Sequence, residues 1–225
     1  MDRLSRTRLL LGDENVAKLQ AATVMIVGVG AVGSFACEAL ARSGIGKLIL
    51  IDFDKYDITN INRQLFATDS TLGSPKVSVA AARIHEINPD IMVDARDMFW
   101  DENSNPDLRP DFVIDAIDTV PSKIALYKWC QAQNIPFISS MGAARKTDMS
   151  QIKIAKISKT SVCPLAAKIR HAVKDTGLKD FPVVYSTEPA DQNIAPGRVF
   201  GSIITITGTF GLALANYAIK QIIKK

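Results

Sequence analysis

Nearly continuous apolar runs alternate with helical patterns over the first 140 residues. The runs ATVMIVGVG, KLILIDFD and DFVIDAID have the length and composition of buried parallel strands. IMVDAR and IPFISS predict two further strands, and stretches such as AVGSFACEALARSG and PSKIALYKWCQAQN show the apolar spacing of helices. This alternation predicts an α/β fold with a Rossmann-like, doubly wound, mostly parallel sheet.

The last third of the chain has a different pattern. DMSQIKIAKISK alternates apolar and polar residues, as an exposed antiparallel strand does, and VVYSTE favours one more strand. PLAAKIRHAVKDTG predicts a short basic helix, and the long apolar stretch that begins at Ser202 predicts a buried closing helix. Residues 189–198 are rich in Pro, Gly and Asn, which predicts a mobile loop. We therefore expect antiparallel strands to extend the sheet in this third.

Composition excludes several classes of protein and leaves one question open. No apolar run reaches the length of a membrane span and the N-terminus lacks a signal-peptide pattern, so we expect a cytoplasmic protein without membrane contact. The three cysteines are isolated from one another, which disfavours a zinc site. Residues 141–181 hold nine Lys and Arg residues against three aspartates. Such a segment suits a polyanion such as RNA, or forms an ordinary solvated lysine-rich surface.

A glycine-rich stretch, GVGAVG at residues 28–33, follows a predicted strand and opens a predicted helix. Gly28, Gly30 and Gly33 permit a tight turn and a close backbone approach, and the helix N-terminus offers free amides to a phosphate. Asp52, at the end of the next strand, is placed to accept hydrogen bonds from a ribose, whereas Asp54 is expected to be a solvated turn acid. The glycine pattern alone does not separate NAD, FAD and ATP.

The turn ITNINRQLF, which follows the second strand, carries more polar chemistry than a dinucleotide requires. Arg63 and Lys76 supply the cations that a triphosphate needs beyond the strand ends, with Asn60 and Gln64 as neutral hydrogen-bonding neighbours. Asp118, at the end of DFVIDAID, is placed to hold a magnesium ion opposite those phosphates. Each residue taken singly also fits an ordinary surface role. Together, behind a glycine motif, they favour a site for ATP and Mg²⁺.

The motifs GVGAVG, LIDFD, NINRQ, GSPK and DAID, in this order, resemble ATP-dependent adenylating enzymes related to ubiquitin activators, the ThiF/MoeB/HesA superfamily. The resemblance spans nearly the whole chain. It implies one adenylating domain over residues 1–225, with an N-terminal arm or helix (1–22), a nucleotide-binding core (23–140), and an antiparallel extension with a closing helix (141–225).

The same resemblance implies specific roles for the residues of the site. The glycine loop would contact phosphate, Asp52 the ribose, and Asp118 the magnesium ion. The residues implied around the triphosphate are Asn60, Arg63, Gln64 and Lys76. Members are commonly homodimers in which an N-terminal arginine reaches the ATP site of the partner. Arg6 is the best match for that arginine, with Arg3 and Arg8 close enough to compete.

Within the superfamily, RLSRTRLLLG, DITNINRQ, PLAAKIR and GTFGLALANYAIK are similar to the branch that acts on threonylcarbamoyladenosine beside the anticodon of tRNA. The implied activity is ATP-dependent dehydration, a cyclisation through an acyl-adenylate. The implied partner is tRNA, and a sulfur-transfer protein is a possible further partner. Three alternatives stay open at this point. They are adenylation of the C-terminus of a ubiquitin-like sulfur carrier, an NAD-dependent dehydrogenase, and a non-catalytic nucleotide-binding scaffold.

Overall fold

In the computed structural model, which describes residues 2–104, 106–174, 176–189 and 200–224, seven strands form one sheet. The strands are β1 (Thr23–Val27), β2 (Lys47–Asp52), β3 (Met92–Asp97), β4 (Phe112–Asp115), β5 (Phe137–Ser140), β6 (Ile152–Lys156) and β7 (Pro182–Ser186). The helices are α1 (Ser5–Leu11), α2 (Asp13–Ala21), α3 (Gly33–Ser43), α4 (Lys76–Ile87), α5 (Val120–Ala132), α6 (Pro164–Val173) and α7 (Ile204–Ile222).

The strand order is β3-β2-β1-β4-β5-β7-β6. Every pairing is parallel except that of β6 with β7 at one edge of the sheet. The chain runs outward from β1 through β2 to β3 and then returns to the other side of β1 with β4. Open α/β sheets bind ligands outside the carboxyl ends of the strands where the order reverses. Here that position lies between the ends of β1 and β4.

The sheet is covered on both faces, which explains why its central strands are apolar at successive positions. Val24 and Ile26 of β1 belong to the core formed with α2, α3, α4 and α7. Met25 and Val27 belong to a second core, formed with α5. The long helix α7 packs closely on the start of α3. The approach requires glycine at position 211, since a Cβ atom there would lie 2.3 Å from the carbonyl oxygen of Val32. Helix α7 therefore packs against the end of the glycine loop, where α3 begins.

The predicted fold class is confirmed, with one refinement in the last third. The sequence leads us to expect antiparallel strands there, but β7 pairs in parallel with β5, and β6 alone among the described strands runs antiparallel. The predicted loop at residues 189–198 lies outside the described residues apart from Pro189. Across the part of the chain that the structure describes, no helix is both long and apolar enough to cross a bilayer.

Candidate active site

The glycine loop connects β1 to α3 at the carboxyl edge of the sheet. Gly28 has a φ of 91°, a backbone conformation that side chains with a Cβ atom rarely adopt. A Cβ atom on Gly33 would lie 1.8 Å from the carbonyl oxygen of Gly28. The turn can therefore close only with glycine at both positions. It brings the free amides at the start of α3 to the surface of the sheet edge.

The loop after β4 packs directly against the glycine loop. The amide of Ala116 donates to the carbonyl of Val27 at 2.8 Å, and a Cβ atom on Gly28 would lie 2.6 Å from the carbonyl oxygen of Ala116. Two residues further on, Asp118 is exposed. Its carboxylate makes no hydrogen bond or ion pair with any residue that the structure describes. The predicted magnesium ligand thus stands free beside the predicted phosphate loop.

Asp52 ties the glycine loop to the end of β2. Its Oδ2 accepts a hydrogen bond from the amide of Val29 at 2.6 Å, and its Oδ1 accepts one from the amide of Asp54 at 2.9 Å. Burial raises the pKa of the Asp52 carboxyl above its ordinary value. Each carboxylate oxygen keeps further acceptor capacity, so the side chain can still receive a ribose hydroxyl.

The polar turn after β2 is shaped by its own side chains. Asn60 Oδ1 accepts from the amide of Asp57, whose carboxylate accepts in return from the amide of Thr59. The guanidinium of Arg63 folds back on the same turn and donates to the carbonyl of Thr59 at 2.6 Å and to Asn62 Oδ1 at 2.8 Å. Asn60 therefore sets the turn, and Arg63 sits on its outer side with donors to spare.

Gln64 is the strongest sign of a ligand at this edge. The residue is 6% exposed, and its Oε1 is buried without a hydrogen-bond partner among the described residues. Its amide group lies 3.8 Å from the position that a Cβ atom would take on Gly30. A buried amide with unused hydrogen-bonding capacity is costly, and one that faces a glycine loop fits a site that a ligand completes.

Lys76 opens α4 and is 6% exposed, so it is not an ordinary solvated helix residue. Its Nζ lies 2.8 Å from Oδ2 of Asp54, and its amide donates to the Asp54 carbonyl at 2.9 Å. Asp54 is about half exposed, with a side-chain exposure of 48%, as expected of a turn acid, and it has a further contact. Its carboxylate holds the ammonium group of Lys76 at the end of β2.

Arg6 is not brought to this site within the chain. Leu4, two residues earlier, packs against Gly44, which caps the end of α3 that is remote from the glycine loop. Arg6 is exposed, whereas Arg8 forms ion pairs with Asp2 and Asp13. Of the competing arginines, Arg8 is thus already engaged inside its own chain. A role for Arg6 at a partner's site stays a prediction.

Sequence reasoning missed an aromatic pair beside Asp52. Phe53 and Phe99 follow β2 and β3, and their ring centroids lie 4.9 Å apart in an edge-to-face arrangement. Both rings are about half exposed, at 53% and 48%. The residues are far apart in sequence, and the parallel register of β2 and β3, which pairs Asp52 with Asp97, brings them together. Their occurrence after successive strands was the signal available in the sequence.

Some of the basic side chains at residues 141–181 are bonded to other parts of the fold. Lys146 is buried and donates to the carbonyl of Glu188, Arg170 donates to Thr160, and Lys156 donates to the carbonyl of Asp180. Other lysines of the segment are exposed, and their ammonium groups form no hydrogen bond or ion pair with a described residue: Lys153, Lys159, Lys168, Lys174 and Lys179. The basic surface is smaller than the charge count indicates, and it lies on β6, on α6 and beside them.

The donor set at the sheet edge fits a magnesium ion held jointly with phosphates. The described residues contain no group of three or more His, Cys, Asp or Glu side chains that could enclose a metal. Mg²⁺ usually keeps several waters and takes one or two carboxylates together with substrate phosphates. One free carboxylate at Asp118, next to a phosphate-binding loop, meets that requirement.

Comparison with known proteins identifies relatives over almost the whole chain. The model of the ThiF family matches residues 4–225. The tRNA threonylcarbamoyladenosine dehydratase of Bacillus subtilis is 48% identical over 192 residues, which cover 84% of this chain and 76% of that protein. The Haemophilus influenzae protein of the same name is 39% identical over 236 residues, covering 94% and 90%. The structure of the E. coli dehydratase TcdA in complex with ATP aligns with a TM-score of 0.90 at 35% identity, over 99% of this chain and 94% of that one.

Proposed function

The chain belongs to the ThiF family, and from that premise we propose that it dehydrates threonylcarbamoyladenosine in tRNA in an ATP-dependent reaction. The observation that carries the proposal is the likeness over 99% of the chain to a dehydratase bound to ATP. The geometry independently supports the ATP-binding part of the proposal, since a glycine loop, a buried amide with unused hydrogen-bonding capacity and a free carboxylate lie at the carboxyl ends of β1, β2 and β4.

The chemistry has two steps. The threonyl carboxylate of the modified nucleoside attacks the α-phosphorus of ATP, a carboxylate–phosphorus bond forms, and pyrophosphate leaves. A nitrogen of the same side chain then attacks the activated carbonyl, closes a ring and expels AMP. The net organic change is the loss of one water. The protein's task is to position the reactants and to neutralise charge, without a covalent nucleophile of its own.

The proposed roles follow from where the side chains lie. The amides of the glycine loop and of the start of α3 bind phosphate, and Asp52 accepts from the ribose. Gln64 and Asn60 complete the wall of the site. Arg63 and Lys76 neutralise the charge that moves to pyrophosphate as it leaves. Asp118 would hold Mg²⁺, which supplies further positive charge to the phosphates when bound.

The Phe53–Phe99 pair is our candidate for the adenine contact, because the rings stand beside the ribose acceptor Asp52. Phe99→Ala is expected to raise the KM for ATP about tenfold, since an aromatic contact contributes about 0.5–1.5 kcal/mol beyond buried area. The kcat should stay near the wild-type value because the base does not change during the reaction. Phe99→Leu should fall between the two. If steady-state kinetics show an unchanged KM for ATP in Phe99→Ala, adenine does not bind to the Phe53–Phe99 pair.

The exposed lysines of α6 and its end are our candidate tRNA contacts. Replacing both Lys168 and Lys174 with alanine should weaken tRNA binding and reduce the slope of log affinity against log salt by about one for each lysine. The matched control replaces Lys220 and Lys224, which are exposed at the C-terminal end of α7 and just after it, outside the basic segment, and should leave the slope unchanged. Filter binding over a salt series measures both. An equal slope for the two double variants would place the tRNA elsewhere.

Assembly and location extend the proposal. We propose a homodimer in which Arg6 serves the partner's site, and the nearly complete exposure of Leu9 and Leu10, at 82% and 83%, supports burial of α1 against a second copy. We treat residues 1–225 as one adenylating domain, which the continuous sheet supports. A sulfur-transfer protein as a further partner, and the cytoplasm as location, stay predictions from the sequence.

The test is ATP–pyrophosphate exchange with defined acceptors. Labelled pyrophosphate should enter ATP when tRNA that carries threonylcarbamoyladenosine is present, and should not enter with the same tRNA lacking that modification. Exchange with the C-terminus of a small sulfur-carrier protein, and none with the modified tRNA, would retain an adenylating enzyme and overturn its substrate. Absence of exchange with every carboxylate, despite ATP binding, would favour the scaffold.

A further inference from the structure

A buried ion pair lies beneath the candidate site. Asp115, the last residue of β4, and Lys123, on the first turns of α5, are both fully buried, and Nζ lies 2.7 Å from Oδ2. The ammonium group also donates to Ser139 Oγ at 3.2 Å and to the carbonyl of Ser140 at 2.8 Å. All three of its protons therefore have acceptors.

The carboxylate of Asp115 is equally well satisfied. Its Oδ2 also accepts from the hydroxyl of Tyr127 at 2.9 Å and from that of Ser139 at 2.5 Å. Burial raises the pKa of Tyr127 well above its ordinary range, so the phenol stays a neutral donor. Burying two charges costs several kcal/mol per ion, and well-packed apolar residues often serve stability as well or better. Stability alone is thus a poor reason for this pair.

The pair connects the end of β4, which borders the site, to the end of the neighbouring strand β5. Asp115 Oδ1 accepts from the amide of Ile117 at 3.0 Å, directly before Asp118. The same short turn presents the carbonyl of Ala116 to Gly28. On the other side, Ser140 is the last residue of β5. One ammonium group therefore fixes the turn that carries the free carboxylate against the glycine loop, and it does so by bonds that leave that carboxylate untouched.

We propose that Lys123 is a positioning residue, which acts through the buried Asp115 carboxylate to hold Asp118 where it can serve the phosphates of ATP. The inference rests on the proposed role of Asp118 at the nucleotide. It differs from a catalytic role because Lys123 is fully buried and touches no reacting atom. Its effect should therefore appear only where Asp118 matters.

The test is a double-mutant cycle between Lys123 and Asp118. Lys123→Met keeps the length of the side chain and removes its charge, and it should lower kcat by about tenfold or more while AMP affinity changes by less than about twofold. In the Asp118→Ala background the same substitution should cost nothing further. Lys128→Met, an exposed lysine on the same helix, is the matched control and should behave as wild type. A folded Lys123→Met with wild-type kcat, or losses that multiply in the double variant, would overturn the inference.

Two further measurements keep the outcome interpretable. If Lys123→Met does not fold, because Asp115 is left buried and unpaired, the neutral pair Asp115→Asn/Lys123→Met replaces it in the cycle, with thermal unfolding as the check. The Mg²⁺-dependent gain in ATP affinity, measured by calorimetry without tRNA, should shrink in the Lys123 variant and not in the Lys128 variant. That readout tests the positioning role even if the wild-type protein does not act on tRNA, a result that would instead overturn the proposed function.

Discussion

Arg63→Ala is expected to lower the rate of adenylation about 10²- to 10³-fold, the loss typical of removing one group that stabilises charge in a transition state. In the structure the guanidinium is held at the turn by Thr59 and Asn62 and keeps donors free for a ligand. Negative charge moves to pyrophosphate only as the reaction proceeds, so the loss should appear mainly in kcat and less in the KM for ATP. ATP–pyrophosphate exchange measures both.

Two further variants test whether the loss comes from the charge of Arg63 at the site or would follow from replacing any arginine. Arg63→Lys should recover part of the rate, because it restores the charge without the planar fork. Arg109→Ala removes a largely exposed arginine, paired with Asp107, ahead of β4, and should leave exchange unchanged. A folded Arg63→Ala that retains more than about a third of the wild-type rate would contradict the assignment.

Gly33→Ala is expected to abolish ATP binding and to destabilise the fold. The added Cβ would lie 1.8 Å from the carbonyl oxygen of Gly28, a separation that no side-chain rotation can relieve. The turn between β1 and α3 must then open, which costs about 1–3 kcal/mol or more and moves the amides that we assign to phosphate. Calorimetry with ATP and thermal unfolding of the same samples measure the two consequences.

Gly201→Ala is the matched control for that substitution. A Cβ atom on Gly201 meets no atom of the described residues within 4 Å, so both ATP affinity and the unfolding temperature should match those of the wild type. Gly33→Ala with wild-type affinity for ATP would show that the glycine loop does not bind the nucleotide. The proposed function would then lose its structural basis, whatever its relatives do.

The parallel core of the sheet could be predicted because each buried strand must be apolar on both faces. This requirement produced the runs that contain β1, β2 and β4, and the glycine motif indicated where α3 begins. The position of β7 could not be predicted in the same way. Its parallel pairing with β5 depends on a long-range connection, and local periodicity carries no information about which neighbour a strand chooses.

For the candidate site, too, the sequence predicted some features and not others. The sequence predicted a nucleotide site, because a glycine loop is rarely followed by a cluster of polar residues such as Arg63, Gln64 and Lys76. What they contact was not visible. The pairing of Lys76 with Asp54, for example, depends on how the turn after β2 folds back on the start of α4. A lysine and an aspartate separated by this distance in the sequence could as well both be solvated surface residues without contact.

Charge counts misled most where side chains are used inside the fold. Lys146 and Arg170 add to the basic segment in the sequence, yet both donate to neighbouring segments of the chain. Lys123 falls within the stretch PSKIALYKWCQAQN that predicts a helix, and it is fully buried. A lysine can lie on either side of a helix, and its burial is decided by partners such as Asp115 and Ser139, which come from adjacent strands.

Nucleoside mass spectrometry tests the central claim most directly. The protein is incubated with ATP, Mg²⁺ and tRNA that carries threonylcarbamoyladenosine, and the tRNA is then digested to nucleosides. The account predicts that this nucleoside loses the mass of one water, that the loss requires ATP, and that Arg63→Ala slows it about 10²- to 10³-fold. An unchanged nucleoside, from wild-type protein that catalyses ATP–pyrophosphate exchange with another carboxylate, would contradict the account.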